Sequence, residues 1–133
     1  MSAKTGRPLP AIDPDTKGFW EAAKEGRLVF QHCPKTGEYQ HPPRPYMKGC
    51  GFDWEWKQVP GTGTVYSFTV VHPPAHPFFE TPYPVVLVQI DEADVRIAGE
   101  IRGVDPEELA VGMRVQVQFE VIGEVGIPYF RPI

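Results

Sequence analysis

Apolar and polar positions change their spacing twice along the chain. Phe19, Trp20 and Ala23 recur at i, i+1 and i+4, interleaved with Glu21, Lys24 and Glu25, which predicts a short helix. Asp15 or Thr16 is placed to cap it, and Gly26 to stop it. Phe19 and Trp20 are large for so short an element: either they anchor it on the body of the protein or they belong to a binding surface. Residues 27–32 then read as a strand, 33–53 as loop, and 54–59 as another short strand. Pro60-Gly61-Thr62-Gly63 marks a boundary. Beyond it the pattern is all β. Residues 64–71 are β-branched and aromatic, 85–90 are a near-continuous apolar run, and 95–101 and 115–121 alternate. Residues 127–130 read as a short edge piece, and Asp105-Pro106-Glu107-Glu108-Leu109 as a single helical turn. The chain divides into an extended tail at 1–14, a helix and loop-rich hairpin region at 15–60, and a β-barrel at 61–133.

Composition supports a strand-rich reading. Sixteen prolines and thirteen glycines in 133 residues exclude a long helical bundle or coiled coil. Four or five strands, with one short turn of helix between the third and fourth, fit an oligonucleotide/oligosaccharide-binding (OB) barrel. No apolar run approaches the ~18 residues of a membrane span, and the N-terminus carries no apolar leader, so the expectation is a cytoplasmic protein with no membrane partner. The net charge of -4 is unevenly spread. Residues 1–60 hold nine Lys/Arg and seven Asp/Glu, whereas 61–133 hold four and ten. An acidic barrel repels a phosphate backbone, which argues against nucleic acid as partner.

Two cysteines in such a chain argue against a disulfide framework. Their positions say something narrower. A zinc ribbon needs two Cys-x2-Cys knuckles, because tetrahedral zinc takes four ligands. Here the frame reads Cys33-x2-Thr36 and Met47-x2-Cys50, with Gly37 and Gly51 just after the two sites. Two thiolates cannot make a structural site alone, and methionine is a poor zinc ligand. His32 adjoins Cys33 on a strand and points to the opposite face; His41 would have to rotate in. Three states remain: zinc; free thiols on a ribbon held by Tyr46, Met47, Phe52, Trp54 and Trp56; or a Cys33–Cys50 disulfide. The expectation is free thiols and no firmly bound cofactor.

Nothing in the chain reads as its own catalytic machinery. There is no Gly-x-Ser-x-Gly elbow, no phosphate loop and no His-Glu-x-x-His. Asp91, Glu92 and Asp94 read as a solvated hairpin turn. The segment from His72 to Pro84, with five prolines, two histidines and three aromatics, joins the first two barrel strands. Proline stiffens it, so little entropy is lost on docking, and stiff aromatic loops make good interfaces. It packs over the barrel or docks on a partner; His72, His76, Phe78, Phe79 and Tyr83 are its candidate contacts.

Taken in order, these features resemble the acyl-CoA-associated proteins that join an N-terminal helix and a rubredoxin-like zinc ribbon to a C-terminal OB fold. The resemblance runs from about residue 10 to the end: Phe19-Trp20-Glu21, Gly26-Arg27-Leu28, Cys33, His41-Pro42-Pro43-Arg44-Pro45, Gly61 to Ser67, and Val111-Gly112-Met113-Arg114-Val115. This member departs at Thr36 and Met47, a degenerate ribbon. The resemblance implies a small, non-catalytic subunit of a thiolase-like enzyme that makes or breaks carbon–carbon bonds in acyl-CoA: a thiolase, an acyltransferase or a retro-aldol lyase of steroid side chains. It implies a thiolase-fold partner, in a heterotetramer, whose acyl-CoA channel this chain helps shape. The alternatives are a stand-alone acyl-CoA-binding protein or a nucleic-acid-binding OB module. On the implied reading Arg44, Lys48 and Lys57 meet the phosphates of coenzyme A, shared with the partner as thioester substrate, while Phe19, Trp20 and the 72–84 segment meet the partner itself. Which acyl-CoA is handled, and whether the partner condenses or cleaves, is not written in these residues.

Overall fold

The structure is a computed structural model that describes residues 8–74 and 77–133. One helix, α1 (Lys17–Lys24), precedes eight strands: β1 (Leu28–His32), β2 (Tyr39–Gln40), β3 (Glu55–Val59), β4 (Thr62–Val71), β5 (Tyr83–Ile90), β6 (Arg96–Ile101), β7 (Arg114–Ile122) and β8 (Val125–Pro132). Thr16 stands at the N-cap, but its hydroxyl makes no cap bond. Instead the Asp13 carboxylate accepts from the Thr16 N–H at 2.9 Å. At the other end Gly26, at φ +79°, lets its own N–H reach the Ala23 carbonyl and that of Arg27 reach Ala22. This closes the helix as the residue pattern predicts, since only glycine adopts that backbone without a Cβ penalty.

β1, β2 and β3 form a small antiparallel sheet in the order β2-β1-β3. The central strand is buried along all five residues. The five remaining strands close a barrel in the order β4-β5-β6-β8-β7, which is the OB fold expected. Two local expectations need correction. Residues 105–109 form a turn, with the Glu108 N–H on the Asp105 carbonyl, and not a helical turn. The end of the chain is no edge piece: β8 pairs along its length with β7 and runs parallel to β6, closing the barrel. Pro128 misleads because it lacks a ladder donor. It is tolerated because parallel pairing with β6 begins only at Tyr129.

One apolar core runs through both parts. Val65, Val86, Val88, Ile90, Val115 and Phe130 fill the barrel, and Phe19, Leu28, Phe30 and Val59 from the helix and ribbon join the same cluster. The helix lies on β8, where a Cβ on Gly126 would collide with the Ala23 carbonyl oxygen. Lys24 also pairs with Glu124 there.

Candidate functional site

The ribbon frame keeps its two knuckles. The Gly37 N–H donates to the Cys33 carbonyl at 2.8 Å, and the Gly51 N–H to the Met47 carbonyl at 2.8 Å. Gly37 and Gly51 sit at φ +77° and +73°, which explains glycine at both positions. The expectation of free thiols does not hold: Cys33 and Cys50 are joined by a disulfide. The knuckles bring their Cα atoms to 5.9 Å, within the range a disulfide requires. Thr36 is exposed, and Met47 is buried at 2% exposure.

Gln31, fully buried, organises the proline-rich segment between the knuckles. Its amide donates to the Arg44 carbonyl at 2.5 Å, and its oxygen accepts the Arg44 N–H at 3.0 Å and the Gln40 amide at 2.9 Å. The Trp54 indole donates to the Pro45 carbonyl at 2.8 Å. This leaves the Tyr46 and Phe52 rings packed edge to face and largely in solvent. Sequence reasoning missed Gln31; a glutamine inside an otherwise apolar strand is the signal that finds it.

The three cations assigned to coenzyme A do not share one face. The backbone of Arg44 is held on the Gln31 side of β1. Lys57 pairs with Phe30 and so lies on the other side of that sheet. Lys48 lines a cleft of about 550 Å³ between the ribbon and the β5–β6 hairpin, together with Tyr39, His41, Asp94 and Arg96. Arg96 was not singled out from sequence. Its guanidinium lies 3.8 Å from the centroid of the Tyr66 ring, and its Nε donates to Gln89. His41 closes the inner side of the cleft against Phe19 and Phe30. Its Nδ1 is buried without a partner among the described residues, and burial pushes its pKa down to about 4.

Phe19 is 5% exposed, so it anchors the helix and is removed from the partner-facing set. Trp20 beside it is half-buried. On the segment between β4 and β5, His72 is exposed, while Phe78, Phe79 and Tyr83 are half-buried and packed in series. His76 lies outside the described residues. Asp91, of the acidic turn, is held by Arg114 at 2.6 Å, whose hydrogen bond keeps its carboxyl below the usual range. Among the described residues, no three His, Cys, Asp or Glu side chains are placed to hold a metal, and no helix is long and apolar enough to cross a membrane.

A helix-braced ribbon fused to an OB barrel, with an aromatic segment between the first two barrel strands, defines the class of protein. The comparisons place it more narrowly. Residues 20–52 match the ChsH2 rubredoxin-like zinc ribbon domain, and 56–120 the ChsH2 C-terminal OB-fold domain. The chain is 34% identical over 125 residues to a DUF35 domain-containing scaffold protein of Pyrococcus furiosus, covering 86% of this chain and 90% of that one. It is 43% identical over 131 residues to a probable enoyl-CoA hydratase alpha subunit of Thermomonospora curvata, covering 97% of this chain and 41% of that one. The chain thus spans less than half of that longer relative. Among solved structures, the Ltp2-ChsH2(DUF35) aldolase superposes with a TM-score of 0.85 at 42% identity, over 93% of this chain and 98% of that one. The chain belongs to the DUF35 family of ChsH2-type ribbon and OB-fold proteins.

Proposed function

We propose that this chain is the accessory, non-catalytic subunit of a thiolase-like enzyme acting on carbon–carbon bonds of acyl-CoA, in the cytoplasm. The likeness to the chain of the Ltp2-ChsH2(DUF35) aldolase carries this reading, because it covers nearly all of that chain at 42% identity. The family's scaffold naming agrees with it. In this reading the partner supplies the catalytic groups, and this chain stabilises it and borders its acyl-CoA channel, within a heterotetramer. Trp20, His72, His76, Phe78, Phe79 and Tyr83 face the partner. Of the three cations, Lys48 is the best placed for a coenzyme A phosphate, because Arg96 reaches the same cleft. Arg44 and Lys57, on separate faces, are the further candidates for the phosphates of coenzyme A.

The test is affinity capture of the tagged chain from its native host, with identification of bound proteins by mass spectrometry. A co-purifying thiolase-fold protein, with acyl-CoA cleavage or condensation in the eluate, is the expected result. A solitary chain, or one carrying RNA, overturns the reading.

A further inference from the structure

The zinc for which the matching ribbon family is named does not fit the donors of this chain. A structural zinc takes four thiolate, imidazole or carboxylate ligands. At the four corners stand two sulfurs already bonded to each other, one exposed hydroxyl and one thioether. Of the nearby histidines, the His32 Nδ1 lies 2.9 Å from Glu55, and His41, whose Nδ1 has no partner among the described residues, packs on Phe19 and Phe30; among the described residues neither joins a group of three metal-capable side chains. The knuckles nonetheless hold their turns through backbone hydrogen bonds and positive-φ glycines. The disulfide links one knuckle to the other, as a metal does in a four-cysteine ribbon.

We propose that the Cys33–Cys50 disulfide is a metal-free replacement for the ribbon's zinc, and that it is a dithiol-sensitive lock on the segment carrying Tyr46, Lys48 and Phe52. Burial holds that segment at Met47 alone of its large side chains, since Tyr46 is 56% and Phe52 73% exposed. Apart from the lock and the buried Met47, the Trp54–Pro45 and Gln40–Tyr46 hydrogen bonds and the exposed Lys35–Asp53 ion pair tie it to its surroundings, while the Met47–Gly51 bridge closes it on itself. Cys33 is fully buried whereas Cys50 is half-buried, so the approach of an attacking dithiol is from the Cys50 side. Its thiolate forms a mixed disulfide there and Cys33 leaves as thiolate. The second thiol of the reagent then closes on the first, releasing Cys50. Protons from the two reagent thiols end on the two cysteines, and the reagent is oxidised by the two electrons that reduce the protein. The barrel contains neither cysteine and stays closed. In a reducing compartment such a bond is a responsive element, not a permanent staple.

The experiment compares the full chain before and after treatment with dithiothreitol. Alkylation under denaturing conditions should find no thiols before reduction and two after. Amide exchange read by mass spectrometry should accelerate about tenfold or more across residues 45–53, with β4 and β7 unchanged. The reduced chain should take up no stoichiometric zinc, whereas Thr36→Cys with Met47→Cys should bind one zinc per chain under the same conditions. Two free thiols at the outset, unchanged exchange at 45–53, loosening of the barrel, zinc in the reduced natural chain, or failure of the double variant to bind zinc would each overturn the proposal.

Discussion

At the scale of single residues, His41 is the group whose environment has the clearest consequence. Its ring is wedged between Phe19 and Phe30, and burial lowers its pKa from 6.5 to about 4. Between those values the unfolded chain binds a proton that the folded chain does not. Stability is therefore full above pH 6.5 and is lost as pH falls towards 4. At 1.4 kcal/mol per unit, the loss is about 2 kcal/mol by pH 5. Urea unfolding at pH 7 and pH 5 measures it. His41→Phe keeps the aromatic packing and removes the proton, so the pH dependence should flatten by that amount; an unchanged slope contradicts the assignment. Arg102 shows the opposite balance. Burial works against its charge, but Glu100 at 2.8 Å and Glu120 at 2.7 Å outweigh it and raise its pKa. Its guanidinium also lies 3.9 Å from the centroid of the Tyr129 ring.

At the scale of elements, the decisive contact is that of α1 with β8. Gly126 is the point of closest approach, where any side chain would strike the Ala23 carbonyl and the Lys24 backbone nitrogen. Backbone atoms cannot swing away as a flexible side chain can. Gly126→Ala should therefore lift the helix and cost about 1–3 kcal/mol, read as a lowered thermal midpoint. A loss below about 0.5 kcal/mol would mean that the helix is free to shift. Because Phe19 is buried with Phe30 in the shared core, lifting the helix also strains the ribbon's hold on the barrel.

At the scale of the molecule, the charge of the barrel argues against nucleic acid as a partner. The barrel half carries ten acids against four bases. The half-buried rings of Phe78, Phe79 and Tyr83 pack in series beside β5, on a proline-rich segment. Replacing Phe78 and Phe79 together by Ala should lower recovery of the partner by about tenfold or more, as expected when two interface aromatics are truncated. Recovery at the natural level would remove this segment from the interface.

The residue pattern by itself determined the helix, its glycine stop, the ribbon frame and the barrel strands, because local spacing and turn chemistry act over a few neighbours. Glycine at 37 and 51 marked the knuckles, since only that residue suits their backbone. Three things waited for the tertiary structure. β8 reads as an edge because Pro128 lacks a ladder donor; only long-range pairing with β6 and β7 shows it to close the barrel. Cys33 and Cys50 are 17 positions apart, and their bond depends on how two hairpins meet. Arg44, Lys48 and Lys57 are neighbours in sequence, yet the alternation of β3 and the clamp of Gln31 send them to separate surfaces, while Arg96 joins Lys48 from the barrel. Spacing fixes which side of an element a residue takes; only packing decides what stands across from it.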